Sequence, residues 1–410
     1  MSASFKEIAR MTTLTADQIA RVKATAPVLA EYGTTITKHF YKRMFANHPE
    51  LKNVFNQAHQ QSGSQPEALA RAVYAYAANI DNLGALGGAV AHIAHKHASL
   101  NIRAEHYPIV GENLLAAISE VLGDAADQPT LDAWAAAYGQ LANILIGAEQ
   151  KLYDGAPWSG FRPFVVVRKE MESDEITSFY LKPSDGGKVC DFAPGQYVSV
   201  KRFVQAVGVD QPRQYSLSDA PNGEWLRISV KREQPAERPA GHVSNGLHDD
   251  VVAGSIVEVS APMGEFSLDR SKTTPVVLMS AGVGITPMVS MLASLTGEGS
   301  ARQVAFVHAC RHGGVHAFKH WLKEIVARHP SVSRTVFYES PRAADRQGVD
   351  FDFDGRMAWA KFVSLALLPD ADYYVCGPLA FMREQVAALH AAGIRAERIH
   401  TEIFGSGMLD

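Results

Sequence analysis

The sequence predicts a multidomain chain: an all-α part first, an antiparallel β-barrel second, and an α/β domain with a parallel sheet last. Three observations carry this prediction. Residues 13 to about 153 place apolar side chains at helical spacing throughout. A Gly- and Pro-rich break, DGAPWSGFRP at 154–163, then ends the helical register. Beyond it come short β-rich runs, and from about Pro275 buried-strand candidates alternate with helix-like segments. At 410 residues the chain has room for two or three domains. The expected boundaries are 1–153 (with 1–11 an extension and Met11 an alternative start), 160–270 and 271–410.

In the first part, Thr15 and Gln18 form a capping box for the opening helix. Ile36, Phe40 and Met44 share one helix face, as do Leu69, Val73, Tyr76 and Ile80. Thr130 is the expected cap of a long last helix through Trp134, Leu141, Leu145 and Leu152. In the second part, FVVV, ITSFYL, QYVSV, WLRISV and SIVEV read as strands separated by turns. In the third, residues 276–280, 304–309, 332–338 and 373–376 read as buried strands.

Composition narrows the function. Apolar residues make up 47% and charged residues 20%, and 39 Lys plus Arg against 43 Asp plus Glu leave a net charge of −4. No basic stripe points to nucleic acid. Cys190, Cys310 and Cys376 stand far apart, which excludes CxxC knuckles, a four-cysteine iron–sulfur cluster and a disulfide framework, and fits a reducing cytoplasm. The N-terminus lacks a signal-peptide core, and the most apolar stretch, 275–287, is broken by Ser280, Gly282 and Gly284 and is too short to span a bilayer.

Several clusters can carry chemistry. Arg213-Gln214-Tyr215-Ser216, between two strand candidates, offers a guanidinium for pyrophosphate, a ring for an isoalloxazine face and a hydroxyl for its polar edge. Tyr197 adds a ring upstream. Ser244, in GHVSN, lies at a turn into a helix start suited to phosphate. Gly282-Val283-Gly284-Ile285-Thr286-Pro287 follows a strand and lets phosphate approach the backbone. Cys376-Gly377-Pro378 ends a second strand, and the chain closes on Glu402-Ile403-Phe404-Gly405-Ser406. Taken in order, these motifs resemble the ferredoxin-reductase family, in which the terminal aromatic lies near the flavin.

In the helical part, Leu86, Val90, Ile93 and His97 make one stripe, while His92 and His95 point to other sides of the helix. His97 is either a core histidine bonded to a carbonyl or a haem ligand whose second nitrogen needs an acceptor. Glu149 falls toward the apolar side of the last helix, where it requires a partner or reaches solvent at the helix end. Tyr107 can donate a hydrogen bond there. Tyr41, Phe55, Gln65 and Leu69 lie on the other side of the expected pocket.

The segments KHFYKRMFANHPELKNVFN, HKHASLNI, HYPIVGENLL and LDAWAAAYGQLANILI resemble the globin domain of bacterial flavohaemoglobins, which are nitric oxide dioxygenases, and the likeness runs from residue 13 to 410. The resemblance implies one haem b and one FAD per chain, with NADH or NADPH as substrate. It implies that NAD(P)H-derived electrons pass through FAD to the haem, where NO and O2 become nitrate. By motif, His97 is then the haem ligand, Tyr107 and Glu149 form a charge relay behind it, and Tyr41 stabilises the distal ligand beside Gln65, Leu69 and Phe55. Lys96 and Glu402 match the pair that bridges haem and flavin. The tail FGSGMLD lacks the family's proline after Phe404-Gly405. A reductase acting on peroxide, quinone or ferric iron, and an O2 or NO sensor or carrier, are the alternatives. No obligatory protein partner is implied. Arg311, past the second strand of the last domain, either meets a 2′-phosphate or is a solvated loop residue, so NADH and NADPH are both open.

Overall fold

The computed structural model describes residues 13–234 and 240–405. The expectations for residues 1–11 and Ser406 lie outside the described residues. By contact, the described chain falls into two compact units. One runs to Phe161 and takes in Lys201–Arg213, and the other combines Arg162–Val200 with the segment from Gln214 onward.

The first unit is helical: α1 (Ala16–Ala24), α2 (Ala26–Asn47), α3 (Gln57–Gln61), α4 (Ser64–Ala78), α5 (Gly87–Ser99), α6 (His106–Leu122) and α7 (Gln128–Gly155). The capping box forms as expected: Gln18 N–H donates to Thr15 Oγ1 at 3.2 Å and Thr15 N–H to Gln18 Oε1 at 2.9 Å. Thr130 does not cap α7. Asp127 does, accepting from Thr130 N–H at 2.9 Å, because a carboxylate three residues ahead, followed by Pro129 in the first turn, is the stronger start. Helices α2 and α4 cross closely, since a Cβ added at Gly33 would meet the Ala70 methyl at 3.3 Å. Ile36, Phe40, Met44, Trp134 and Tyr76 fill the core between α2, α4 and α7.

This unit also holds the outer end of the β3–β4 hairpin (β3 is Tyr197–Val204, β4 Val209–Ser216). Gln211, buried at 2% exposure, accepts from Gln57 N–H at 3.0 Å and donates to Lys52 O at 3.0 Å, and Asp210 N–H donates to Asn53 Oδ1 at 2.8 Å.

In the β part, β1 (Phe161–Met171), β2 (Ile176–Pro183), β5 (Leu226–Lys231) and β6 (Ile256–Ser260) join β3 and β4 in the order β4-β3-β6-β1-β2-β5. A bridge from Leu217 to Ile228, with Ser218 N–H donating to Arg227 O, brings the two ends of that order together and closes the antiparallel barrel. RQYS is not an inter-strand segment. It forms the last residues of β4, because the chain stays extended beyond Pro212.

The last part is a parallel sheet in the order β10-β9-β8-β7-β11-β12: β7 Val276–Ala281, β8 Val304–Cys310, β9 Val332–Tyr338, β10 Phe353–Asp354, β11 Asp372–Cys376 and β12 Ile399–Glu402. Alternation sorts its side chains. Val276 and Leu278 face α9 (Ile285–Gly297) and α10 (Lys319–Arg328), while Val277 and Met279 face Phe362, Met382 and Leu389 on the other side. Both faces are covered, so the strands read as continuous apolar runs. Among the described residues no helix is long and apolar enough to cross a membrane.

Candidate functional site

The helical unit brings three of the expected residues into one hydrogen-bonded set. His97 Nδ1 lies 2.8 Å from Glu149 Oε1 and 3.2 Å from the Tyr107 hydroxyl, and that hydroxyl donates to the same Glu149 oxygen at 2.5 Å. Glu149 is 2% exposed, so it does not reach solvent at the helix end. A buried carboxylate needs donors, and these two supply them. Tyr138 OH donates to Tyr107 O at 2.8 Å and Tyr153 OH to Ile102 O, which pins α7 against the α5–α6 corner. Burial first, then the bond to Glu149, pushes the Tyr107 hydroxyl well above its ordinary range, so it stays a donor.

The set fixes the imidazole. With the proton on Nδ1 pointing at the carboxylate, Nε2 carries the lone pair. The ring is 31% exposed, and its partner Tyr107 belongs to an apolar cluster with Ile102, Leu145, Val90, Ile93 and Leu100. One imidazole nitrogen with an engaged second N–H, beside an apolar cluster that its partner Tyr107 joins, fits a haem iron. His92 is exposed, and His95 is half-buried with partners of its own.

Tyr41, on α2, is 6% exposed. Its ring lies 5.7 Å from Phe55 and 5.9 Å from Phe45. Burial raises its hydroxyl pKa, and the amides of Gln60 and Gln65 adjoin the hydroxyl. Gln65 and Leu69 share α4. Gln60 was not anticipated: it sits on the short α3, and its Nε2 is buried without a hydrogen-bond partner among the described residues.

On the barrel, Tyr197 is 8% exposed on β3, and Arg213 to Ser216 end β4 with Ser216 buried and Gln214 exposed. Arg213 Nη1 donates to Pro212 O at 2.7 Å. Gly241 opens α8 (His242–Asp250), where Ser244 Oγ donates to Gly241 O at 3.1 Å and accepts from Glu233 N–H at 3.2 Å.

In the parallel sheet, Gly282 to Gly284 form a single 3₁₀ turn between β7 and α9, with Gly282 at φ +55°. A Cβ at Gly284 would lie 2.2 Å from Cys376 O, so only glycine lets the Gly282–Gly284 turn pack on the Cys376-Gly377 backbone. The two motifs therefore meet at the carboxyl ends of β7 and β11, where α/β sheets bind ligands. Ile285, Thr286 and Pro287 are buried in the first turn of α9, and Val283 is half-buried. Glu402 pairs with Cys376 in the β11–β12 register, Ile403 is half-buried, Phe404 is 43% exposed, and Gly405 has φ +117°. Lys96 lies one residue before His97 on α5.

Family models describe the same order. Residues 38–145 match the globin model, 163–268 the oxidoreductase FAD-binding domain and 278–387 the oxidoreductase NAD-binding domain. Fold and site together define a globin fused to a flavin- and nicotinamide-type oxidoreductase. The chain is 57% identical over 391 residues to a flavohemoprotein of Chromobacterium violaceum, covering 94% of this chain and 96% of that one. It is 56% identical over 395 residues to one of Bordetella pertussis, covering 95% and 98%. The chain belongs to the flavohemoprotein family. Among solved structures it is similar to a flavohemoglobin from Malassezia yamatoensis with bound FAD and heme, with TM-score 0.84, 28% identity and coverage of 96% of this chain and all of that one. The FAD/NAD-binding domain of a nitric oxide dioxygenase from Vibrio cholerae matches with TM-score 0.54 and 39% identity, covering 60% of this chain and 98% of that one.

Proposed function

We propose that this protein is a cytoplasmic, NAD(P)H-driven nitric oxide dioxygenase that converts NO and O2 to nitrate and so removes NO. Residues 1–153 hold haem b, 160–270 hold FAD and 271–410 bind NADH or NADPH. Its substrates are small molecules, and neither nucleic acid nor an obligatory protein partner takes part. The observation that carries this reading is the His97–Glu149–Tyr107 set, an arrangement suited to an imidazole that would donate strongly to a haem iron.

When bound, haem supplies the iron at which NO and O2 react, and FAD supplies it with electrons drawn from NAD(P)H. His97 Nε2 would hold that iron. Glu149 draws on the Nδ1 proton and gives the ring imidazolate character, while Tyr107 shares the carboxylate and keeps it in place. Tyr41, held protonated by burial, would donate a hydrogen bond to a gas held at that haem. The Gln60 and Gln65 amides adjoin that hydroxyl, and Phe55 and Leu69 would help exclude water. Arg213 would neutralise the flavin pyrophosphate, and Ser244 at the α8 start would offer a further phosphate contact. Tyr197 and Tyr215 would cover the ring, and Gln214 and Ser216 would bond its edge. The Gly282–Pro287 backbone would cradle the nicotinamide coenzyme's phosphates. Glu402, Ile403, Phe404, Gly405 and Ser406 would serve the flavin end, and Lys96 the haem end.

Nitrate formation by the cofactor-loaded protein with NADH under air tests the reading. Nitrate should accumulate in step with NO loss, and NADH oxidation without nitrate would favour the reductase alternative. The flavin site has its own test. Charge-assisted bonds to phosphate are worth about 1.5–3 kcal/mol each, so Arg213→Ala should weaken FAD binding roughly ten- to hundredfold. Flavin retained at the wild-type level after extensive dialysis would contradict the assignment.

A further inference from the structure

Arg311 follows β8, whose carboxyl end lies beside that of β7, with Ala281 opposite Ala309. In parallel sheets that bind dinucleotides, the first strand ends at the pyrophosphate turn. The end of the next strand reads the adenosine ribose, with an acidic residue for a 2′-hydroxyl or an arginine for a 2′-phosphate. This chain places both there. Arg311 Nη2 donates to Glu175 Oε1, and Glu175 comes from the turn between β1 and β2. A second pair stands alongside: Arg342 Nη1 lies 3.4 Å from Asp174 Oδ2. Asp345 Oδ2 closes the cluster, accepting from Gly313 N–H at 3.2 Å and from Arg342 N–H at 2.7 Å. Asp174 N–H also donates to Gly314 O at 2.8 Å, which fixes the acidic turn over the loop after β8.

We propose that the Arg311–Glu175 pair selects NADH over NADPH, an inference that rests on the nicotinamide site proposed above. Two guanidinium groups face three carboxylates here, so the field at the ribose position is not cationic. A 2′-phosphate, close to dianionic, meets Glu175 and Asp174 and has to displace one of them to reach an arginine. A 2′-hydroxyl carries no such charge and can donate to Glu175. The arginine that would suit NADPH is present but already engaged, so coenzyme choice is set by the barrel's β1–β2 turn.

The test is the second-order rate of flavin reduction by each coenzyme, read anaerobically by stopped-flow absorbance on the full FAD- and haem-loaded chain. Wild type should be reduced faster by NADH. Glu175→Gln should raise the NADPH-to-NADH ratio roughly three- to tenfold, the range expected when one partly exposed charge is removed beside another. Adding Arg311→Gln to Glu175→Gln should return the ratio toward wild type. Faster wild-type reduction by NADPH, a ratio unmoved by Glu175→Gln, or a gain that survives loss of Arg311 would each overturn the inference while leaving the nicotinamide site standing. Reduction by neither coenzyme would overturn the site and the inference together.

Discussion

Replacing His97 by alanine is expected to strip the protein of its iron–histidine bond and lower NO consumption by more than about a hundredfold. Removing a partner behind a ligating histidine already costs roughly 10–100-fold in metal affinity or activity, so losing the ligand itself should exceed that range. The same change has a second consequence. Glu149, 2% exposed, would lose one of its two donors, and a hydrogen bond to a charged group is worth about 1.5–3 kcal/mol. The helical unit of the variant should therefore be less stable as well as unable to ligate haem. Adding Glu149→Gln separates the two effects: the neutral amide should restore much of the stability and none of the haem ligation. Added imidazole should partly restore the ferrous spectrum of His97→Ala. A normal five-coordinate ferrous spectrum in that variant without imidazole would remove His97 from the site.

Tyr41→Phe is expected to speed O2 release roughly ten- to hundredfold, because a buried hydrogen bond to a partly anionic ligand is worth on the order of 1.5–3 kcal/mol. Carbon monoxide carries little charge on its outer atom, so its release should change much less. The structure sharpens this contrast. Two amides, Gln60 and Gln65, adjoin the Tyr41 hydroxyl, and either can turn toward the ligand once the hydroxyl is gone. Tyr41→Phe combined with Gln65→Leu should therefore exceed the single change. Stopped-flow O2 and CO dissociation from the ferrous protein checks this. Equal acceleration for both gases would mean that Tyr41 acts by filling space.

Much of this was legible because local rules leave periodic marks. The stripe ending at His97 and the inward position of Glu149 follow from helical spacing, and the two do meet at 2.8 Å. The strand runs and the Gly282–Pro287 turn were readable for the same reason, since burial on both sheet faces writes continuous apolar runs. Other features depend on partners that no local pattern announces. Thr130 is an acceptable cap residue on its own, and the hydrogen bond it donates to Asp127 shows which residue opens the helix. The hairpin end at 201–213 packs with the helices through Gln211, whose single amide reaches Gln57 and Lys52 about 150 residues away. Gln60 lies on a five-residue helix too short to show a period. Arg311 and Glu175 are 136 residues apart and both partly exposed, so hydropathy says nothing of their pairing.

The most direct measurement is NO consumption by the haem- and FAD-loaded protein with NADH, recorded with an NO electrode first under air and then under argon. If the His97 and Tyr41 faces serve NO dioxygenation, consumption is rapid under air, yields nitrate, and collapses under argon. Consumption that proceeds equally without O2, or none under air while NADH still reduces the flavin, would contradict that function.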